Sequence, residues 1–320
     1  MTTAFITGIA GQDGYYLTQR LLVEGADVHG LVLDASSPEV DQVPAGVTLH
    51  QGDLGDCASM TSLIAAVAPD EIYNLGGISS VAYSWEHPAA TGQVSGVGAV
   101  GIYEAARTLQ DASGRQVRVL QASSAEIFGI PDRTPQTEHT TIAPVTPYGT
   151  AKAYAHLTAK AMRHQGLDVS TVILYNHESP RRPETFVTRK ITAAAARIAR
   201  DGSGSIAMGN LDARRDWGWA PDYVDAMIRA IRHQQADDYV IATGRAHSVE
   251  DFVAAAFARA GIDDWQAHVT IDPRFVRPVD AAQQVGDFSH AHQQLGWQPT
   301  VSFEELVGRM VDHDRDLLSE

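Results

Sequence analysis

Apolar and polar positions along this chain switch between two periods. Short apolar runs at Thr3 to Thr7, Val28 to Leu33, Val47 to His50, Glu71 to Leu75, Val117 to Leu120 and Val169 to Tyr175 read as strands. Between them, apolar residues recur three or four apart through Leu17, Leu21 and Leu22, over Met60 to Val67, from Ala89 to Leu109 and onward from Tyr148, and these read as helices. Strands alternating with helices predict an α/β fold, a doubly wound parallel sheet covered on both faces. After Asn176 the pattern gives way to turn-rich, arginine-bearing segments, and one further strand, Tyr239 to Ala242, is expected to return to the main sheet. The predicted organisation is a main domain over residues 1–176 and about 218–246, with a smaller C-terminal α/β lobe for substrate over about 177–217 and 247–320. No internal repeat interrupts it.

The first strand-to-helix junction is Thr7-Gly8-Ile9-Ala10-Gly11-Gln12-Asp13-Gly14. Gly8 permits the tight turn, Gly11 lets backbone approach a pyrophosphate, and Gly14 lets helix and strand pack closely, so that helix N-terminal amides face the phosphate charge. This is the opening of a Rossmann sheet, in the T-G-x-x-G-x-x-G spacing of the short-chain dehydrogenase layout. Alone, the triplet also fits an ordinary strand-to-helix turn. Asp34 closes the second strand 20 residues after Gly14, where a carboxylate accepts hydrogen bonds from the adenosine ribose hydroxyls. A 2'-phosphate there would meet a like charge, at a cost of roughly 4 kcal/mol at about 4 Å and an effective dielectric near 20. NAD is therefore the expected cofactor, unless an arginine from elsewhere in the fold or from a neighbouring subunit brings in NADP.

A second signal lies at Tyr148-Gly149-Thr150-Ala151-Lys152, which opens a helical stretch after Pro147. Residues four apart share a helix face. A lysine ammonium beside an oxidised nicotinamide favours a tyrosine phenolate, which can take a proton from a sugar or alcohol hydroxyl near neutral pH. Alone, this pair also fits an ordinary surface. The third signal is upstream, where the Val117 strand runs into Ser123-Ser124-Ala125-Glu126. Period-2 alternation points Ser124 and Glu126 to one side at the strand's carboxyl end, where doubly wound folds place their chemistry. The other reading of Glu126 is a solvated loop carboxylate. Three signals in this order favour a catalytic site over three coincidences.

Composition acts by exclusion. A net charge of -15 argues against a nucleic-acid partner. No apolar stretch approaches the roughly 20 residues of a membrane helix. Cys57 is the single cysteine, and the first strand begins too soon for a signal peptide, so a cytoplasmic enzyme is expected. The 13 histidines include no H-E-x-x-H, and no C-x-x-C occurs, so no metal is expected.

Several longer strings are more specific. They are Ile6 to Gly14, Ile72 to Gly76, Asn176-His177-Glu178-Ser179-Pro180-Arg181-Arg182, Glu184 to Lys190, Gly209 to Gly218 and Asp238 to Gly244. Through them the chain, from Ile6 to Asp312, resembles the GDP-mannose 4,6-dehydratases of the extended short-chain dehydrogenase/reductase superfamily. The resemblance implies a redox-neutral conversion of GDP-mannose to GDP-4-keto-6-deoxymannose, with Ser124, Glu126, Tyr148 and Lys152 as catalytic residues. Cofactor contacts are expected from Gly8, Gly11, Gln12, Asp13, Gly14, Asp34, Asp53, Leu54, Tyr148 and Lys152. The nucleotide sugar is expected at Ser79, Asn176, Lys190, Arg215, Arg277 and Asp280, whereas Arg181 and Arg182 read as structural. The alternatives are a nucleotide-sugar 4-epimerase or 4-keto reductase, which need no Glu126, and a catalytically weak nucleotide-sugar-binding protein.

The chain also departs from the family's pattern. Gly77-Ile78-Ser79-Ser80 replaces Ala-Gln-Ser-His, Ala125 replaces a serine, and Asp280 stands for a glutamate that reaches the guanine edge. Leu33-Asp34 replaces the Arg-Arg that grips the 2'-phosphate of NADP. The following stretch, 35–46, is short and lacks arginine. That loop helps build the family's tetramer, so a homodimer through the sheet-flanking helices is expected here, with a tetramer as the alternative.

Overall fold

In the computed structural model, which describes residues 1–275 and 281–319, the chain alternates strand and helix from its start. Strand β1 (Thr3–Thr7) leads to helix α1 (Gln12–Val23), and β2 (Asp27–Val32), β3 (Thr48–Gln51), α2 (Cys57–Val67) and β4 (Glu71–Asn74) follow. Helices α3 (Val81–Glu86), α4 (Pro88–Thr91) and α5 (Gly98–Ser113) precede β5 (Arg118–Ser124), α6 (Pro147–His164) and β6 (Asp168–Leu174). Next come β7 (Asn176–Glu178), α7 (Val187–Asp201), β8 (Ile206–Met208), β9 (Arg214–Trp219), α8 (Ala220–Arg232) and β10 (Asp238–Ile241). The chain ends with β11 (Ala246–Ser248), α9 (Val249–Ala260), β12 (Val269–Ile271), β13 (Gln283–Gln284), α10 (Ser289–Leu295) and α11 (Phe303–Leu317).

Seven strands form one sheet in the order β10-β6-β5-β4-β1-β2-β3, and every neighbouring pair is parallel. This is the doubly wound Rossmann architecture, and β10 takes the edge beside β6 as the sequence predicts. Alternate residues of each strand serve opposite faces. Ala4 and Ile6 join Leu17, Leu21 and Met227 in one core, whereas Phe5 packs with Ile64, Ile102 and Ala159 in the other. The direction of winding reverses between β1 and β4, so the connections after them run to opposite faces of the sheet and leave the crevice in which such sheets bind ligands. Beneath that crevice the Thr7 hydroxyl donates to Asn74 Oδ1 (2.7 Å), Asn74 Nδ2 to Gln121 Oε1 (2.7 Å), and the Tyr103 hydroxyl to the same oxygen (2.8 Å). This buried chain of hydrogen bonds joins β1, β4, β5 and α5 into a fixed floor.

Two boundaries differ from the sequence reading. Strand β2 stops at Val32, so Leu33 is exposed and Asp34 lies beyond the strand rather than closing it. The helix expected from Ala89 to Leu109 is three pieces, with a π-helical turn over Gly92–Val97 between α4 and α5. Apolar spacing does not register a single widened turn, and such turns concentrate at functional positions.

A second sheet, in which β9 pairs with β7, β11 and β13, is accompanied by the β8–β12 pair. Helices α7, α9 and α11 cover them through Ile191, Phe252, Phe257, Leu306 and Met310 around Trp217. Within this core Arg189 of α7 makes a buried, two-pronged ion pair with Asp314 of α11 and also donates to the Arg182 carbonyl (3.2 Å). Among the described residues no helix is long and apolar enough to cross a membrane. Removing one partner of a buried pair strands the other charge, so Asp314→Ala is expected to lower stability by about 3–5 kcal/mol. Urea unfolding reads this as a lower midpoint, and a loss typical of an exposed pair, about 0–1 kcal/mol, would show the contact to be dispensable.

Candidate active site

The candidate catalytic side chains meet because two backbone segments touch. Strand β5 ends at Ser124 and turns at once into a 3-10 helix over Ala125–Phe128, which carries Glu126. Helix α6 starts with Thr146 as its cap, the Thr146 hydroxyl accepting from Gly149 N at 2.9 Å. A Cβ at Gly149 would stand 2.5 Å from the Glu126 carbonyl oxygen, so glycine there lets the first turn of α6 lie against the Glu126 turn. Alternation along a strand is thus not what brings Ser124 and Glu126 together. The strand has ended, and the turn is closed by Ser124 Oγ accepting from Glu126 N at 3.3 Å.

Tyr148 is buried at the head of α6, its amide donating to Ser84 Oγ (3.2 Å). Burial pushes its phenol up to about 12, and the Glu126 charge adds to that, against a hydrogen bond with the Ser124 side chain. Lys152, one turn on, is also buried. Burial pulls its ammonium down to about 8, with Asp13 opposing. Its Nζ donates to the Ala122 carbonyl at 2.9 Å and stands 5.9 Å from the centroid of the Tyr148 ring. The lysine charge is therefore beside the phenol and not hydrogen-bonded to it.

The glycine turn lies across the switch point. Gly8 has φ +71°, and a Cβ at Gly14 would meet the carbonyl oxygens of Gly8 and Ile9 at 2.4 and 2.5 Å, so the first turn of α1 packs directly on the end of β1. Gly11 N donates to the Gly8 carbonyl (3.0 Å). Gln12 Nε2 donates to the His177 carbonyl (3.1 Å), Gln12 Oε1 accepts from Ser179 Oγ (2.7 Å), and Asp13 pairs with the His177 ring. Asp34 is exposed, and Oδ1 accepts from Ser36 N and Oγ at 2.8 and 2.7 Å, bonds that hold its carboxyl below the usual range. Asp53 accepts from Gly55 N (2.8 Å), and Leu54 is buried in the core behind it.

The sequence reading missed Gln93 and Ser95, which sit inside an apparently continuous helix. In the π turn Ser95 Oγ accepts from Ile78 N (2.9 Å) and Gln93 Nε2 donates to the Gly55 carbonyl (3.0 Å). One widened turn thereby fixes both the loop of Ile78 and Ser79 and the loop of Asp53 and Leu54. Only the cluster of glycines at 92, 96 and 98 hints at it.

On the far side of the crevice Asn176 begins β7, directly after the last main-sheet strand but one. Lys190 of α7 lies 3.9 Å over the Phe275 ring and donates to the Ala207 carbonyl (2.6 Å), with burial lowering its ammonium against Asp272. Arg215 of β9 is buried and donates to the carbonyls of Arg214 and Ala281 (2.8 and 2.9 Å). Ser79 is exposed on its loop. Arg277 and Asp280 lie outside the described residues. Arg181 stacks on Tyr15 of α1 (3.5 Å) and donates to Gln42, whereas Arg182 pairs with Glu178 (3.2 Å) and stacks on Phe186 (3.8 Å).

The sequence pattern described as GDP-mannose 4,6 dehydratase matches residues 5–310. The chain belongs to the GDP-mannose 4,6 dehydratase family. It is 43% identical to GDP-mannose 4,6 dehydratase 2 of Arabidopsis thaliana, over 98% of this chain and 87% of that protein. With the GDP-mannose 4,6-dehydratase of Vibrio cholerae it shares 39% identity over 97% of this chain and 93% of that one. In fold it is similar to a UDP-glucose 4-epimerase of Thermotoga maritima solved with UDP-glucose, with a TM-score of 0.88 and 23% identity over 99% of each chain.

Two departures from the GDP-mannose 4,6 dehydratase pattern gain a physical setting here. Ala125 is buried in a small core with Ile127, Phe128, Ile173 and Tyr175, where an apolar side chain is at home. The short stretch after Asp34 folds into a 3-10 helix over Pro38–Gln42, capped by Ser37 and tied to Arg181 through Gln42.

Proposed function

We propose that this protein is a GDP-mannose 4,6-dehydratase, converting GDP-mannose to GDP-4-keto-6-deoxymannose and water. The observation that carries the reading is the contact of the Glu126 turn with the Tyr148 turn, which sets a hydroxyl, a carboxylate and a phenol around one point at the carboxyl end of β5. The close packing of α1 on β1 at Gly8 and Gly14, with free amides at the helix start, suits a dinucleotide pyrophosphate. A nicotinamide dinucleotide held there would supply the hydride acceptor for C4 and the hydride donor for C6. Tyr148 takes the O4 proton while Ser124 hydrogen-bonds O4. The C4 ketone acidifies the C5 hydrogen, which Glu126 removes and then delivers to the departing C6 hydroxyl as water leaves. The O4 proton held by Tyr148 passes to solvent, and a solvent proton returns to C5 as the C6 methyl forms. A 4-epimerase needs no base at C5, so Glu126 discriminates.

Incubation with GDP-, UDP-, dTDP- and CDP-sugars, followed by mass spectrometry for loss of water, tests the substrate. GDP-mannose is expected to be the one dehydrated. Glu126→Gln is expected to lower dehydration by about 10²–10⁴ while substrate still reduces bound cofactor, read by its absorbance. Normal dehydration by that variant would remove Glu126 from the reaction.

For the cofactor we infer NAD. Asp34 stands exposed just past β2, beside the glycine turn, and no arginine occurs between it and Gly46 to receive a 2'-phosphate. Arg181 is engaged with Tyr15 and Gln42 instead. Cofactor released by denaturing the purified protein and weighed is expected to be NAD, and Asp34→Arg to shift preference toward NADP. NADP as the dominant species in the unaltered protein would overturn the assignment.

For assembly we infer a homodimer. Trp85, Val97 and Tyr154 line a shallow, largely apolar groove of about 610 Å³ along the π turn and α6, with exposed Leu157 one turn beyond Tyr154. An apolar strip of this kind on adjacent helices marks an interface. Light scattering is expected to give a dimer for the native chain and a monomer for Leu157→Glu. A native monomer at micromolar concentration contradicts the reading, and a tetramer would implicate the 35–46 stretch as well.

A further inference from the structure

Both ring nitrogens of His177 face groups that can only accept. Nδ1 lies 2.8 Å from the Tyr175 carbonyl oxygen, and Nε2 lies 2.9 Å from Asp13 Oδ2. A neutral imidazole has one N–H, so two acceptor partners call for the imidazolium. The ring is buried and stacks on Tyr223 of α8, with centroids 4.7 Å apart. Burial favours the neutral ring, yet the Asp13 charge and hydrogen bond outweigh it and raise the titration of His177. Burial likewise opposes the Asp13 carboxylate, and the His177 charge, with Arg182 and Gln12, holds it below its ordinary range.

The position of the pair gives it a consequence. Asp13 is in the first turn of α1, where exposed amides and the helix dipole attract an anion. A bare carboxylate would oppose that attraction. The other charged or titratable groups around the pair are Arg182 and Glu178 from the segment that begins at Asn176, Lys152 and Tyr148 from α6, Tyr16 from α1, and Tyr223 from α8. None of these hydrogen-bonds the Asp13 carboxylate as His177 does. The same segment is bound to the turn by Gln12 through the His177 carbonyl and Ser179.

We propose that His177 is a positioning residue, an imidazolium that neutralises Asp13 beneath the dinucleotide site and ties the glycine turn to the Asn176–Arg182 segment. This rests on the dinucleotide reading of the turn, though the charge state of the ring is testable without it. The sign of the pH effect follows from the two directions. With His177 raised, its contribution is complete below the ordinary histidine value near 6.5 and is lost as pH rises through the higher folded value. With Asp13 lowered, its contribution is complete above about 3.9 and lost on acidification. The pair is therefore whole across mildly acidic to neutral pH and opens on the alkaline side.

The test joins a spectroscopic and a binding measurement on the full chain. Nitrogen-15 spectra of histidine-labelled protein at neutral pH are expected to show one buried imidazolium, absent in His177→Asn and turned neutral in Asp13→Asn. Titration with NAD, followed by tryptophan fluorescence, is expected to bind about tenfold or more weakly to His177→Asn, a usual size for coupled sites. The double variant Asp13→Asn/His177→Asn is expected to recover most of that affinity and to lose the alkaline weakening of the native chain. A neutral His177 at neutral pH in the native protein overturns the proposal even if no variant folds. So does a double variant as weak as the single one, which would mark a purely structural role. Absence of NAD binding to the native chain, with the imidazolium present, would instead count against the dinucleotide reading.

Discussion

The site depends on backbone coming closer to backbone than any side chain allows. At Gly149 the room between α6 and the Glu126 carbonyl is less than one methyl group, and at Gly14 the same holds between α1 and the end of β1. The first contact sets the phenol of Tyr148 near the carboxylate and hydroxyl of the β5 turn. The second leaves the free amides of α1 at the mouth of the switch-point crevice. Packing densities in such regions leave no slack, so an added carbon must displace an element. The floor of Thr7, Asn74, Gln121 and Tyr103 makes that displacement costly, since moving one strand breaks hydrogen bonds shared by its neighbours.

The main sheet was legible because parallel strands buried on both faces carry short apolar runs, as Ala4 to Ile6, Val119 to Leu120, Val172 to Leu174 and Tyr239 to Ile241 do. The glycine turn and the Tyr148–Lys152 spacing were legible because their partners are close in sequence. Ser124 and Glu126 do share one turn, but the strand period that points to them ends at Ser124, two residues before Glu126. The π turn was hidden because one added residue shifts the apolar period too briefly to be read. The sequence offers Gln12 and Asp13 as cofactor contacts but not their bonds to the Asn176–Arg182 segment, since His177 and Ser179 lie 164 to 167 residues away. No periodicity connects segments so far apart; only the fold does.

The same distance explains how the two cores act together. The segment from Asn176 to Arg182 leaves the main sheet beside β6, bonds to the glycine turn through His177 and Ser179, and ends where Arg189 holds the Arg182 carbonyl and Asp314. A chain of short polar contacts thus runs from the first turn of α1 to α11. Asp216 supports the return path: its buried carboxylate accepts from Thr243, Gly244 and Gly286, and burial still pushes it up to about 6. Carboxylates in an acidic protein are here used as acceptors that fasten loops, and the positive groups are placed against carbonyls and rings.

Burial by itself works against proton abstraction by Tyr148. Burial pushes the Tyr148 phenol up to about 12 against the Ser124 hydrogen bond and pulls the Lys152 ammonium down to about 8 against the Asp13 charge. The phenol has to become more acidic for Tyr148 to serve near neutral pH, and each unit corresponds to about 1.4 kcal/mol of preferential interaction with the phenolate. The protein holds two means of supplying it. The Ser124 hydroxyl already stabilises the charged form. The Lys152 ammonium is 5.9 Å from the ring and gives one of its three donors to the Ala122 carbonyl. Because desolvation has weakened the hold of water on that ammonium, its field acts on the phenol with little screening. In the proposed reaction, a substrate hydroxyl set between Ser124 and Tyr148 would complete a proton path whose electrostatics the fold has set in advance.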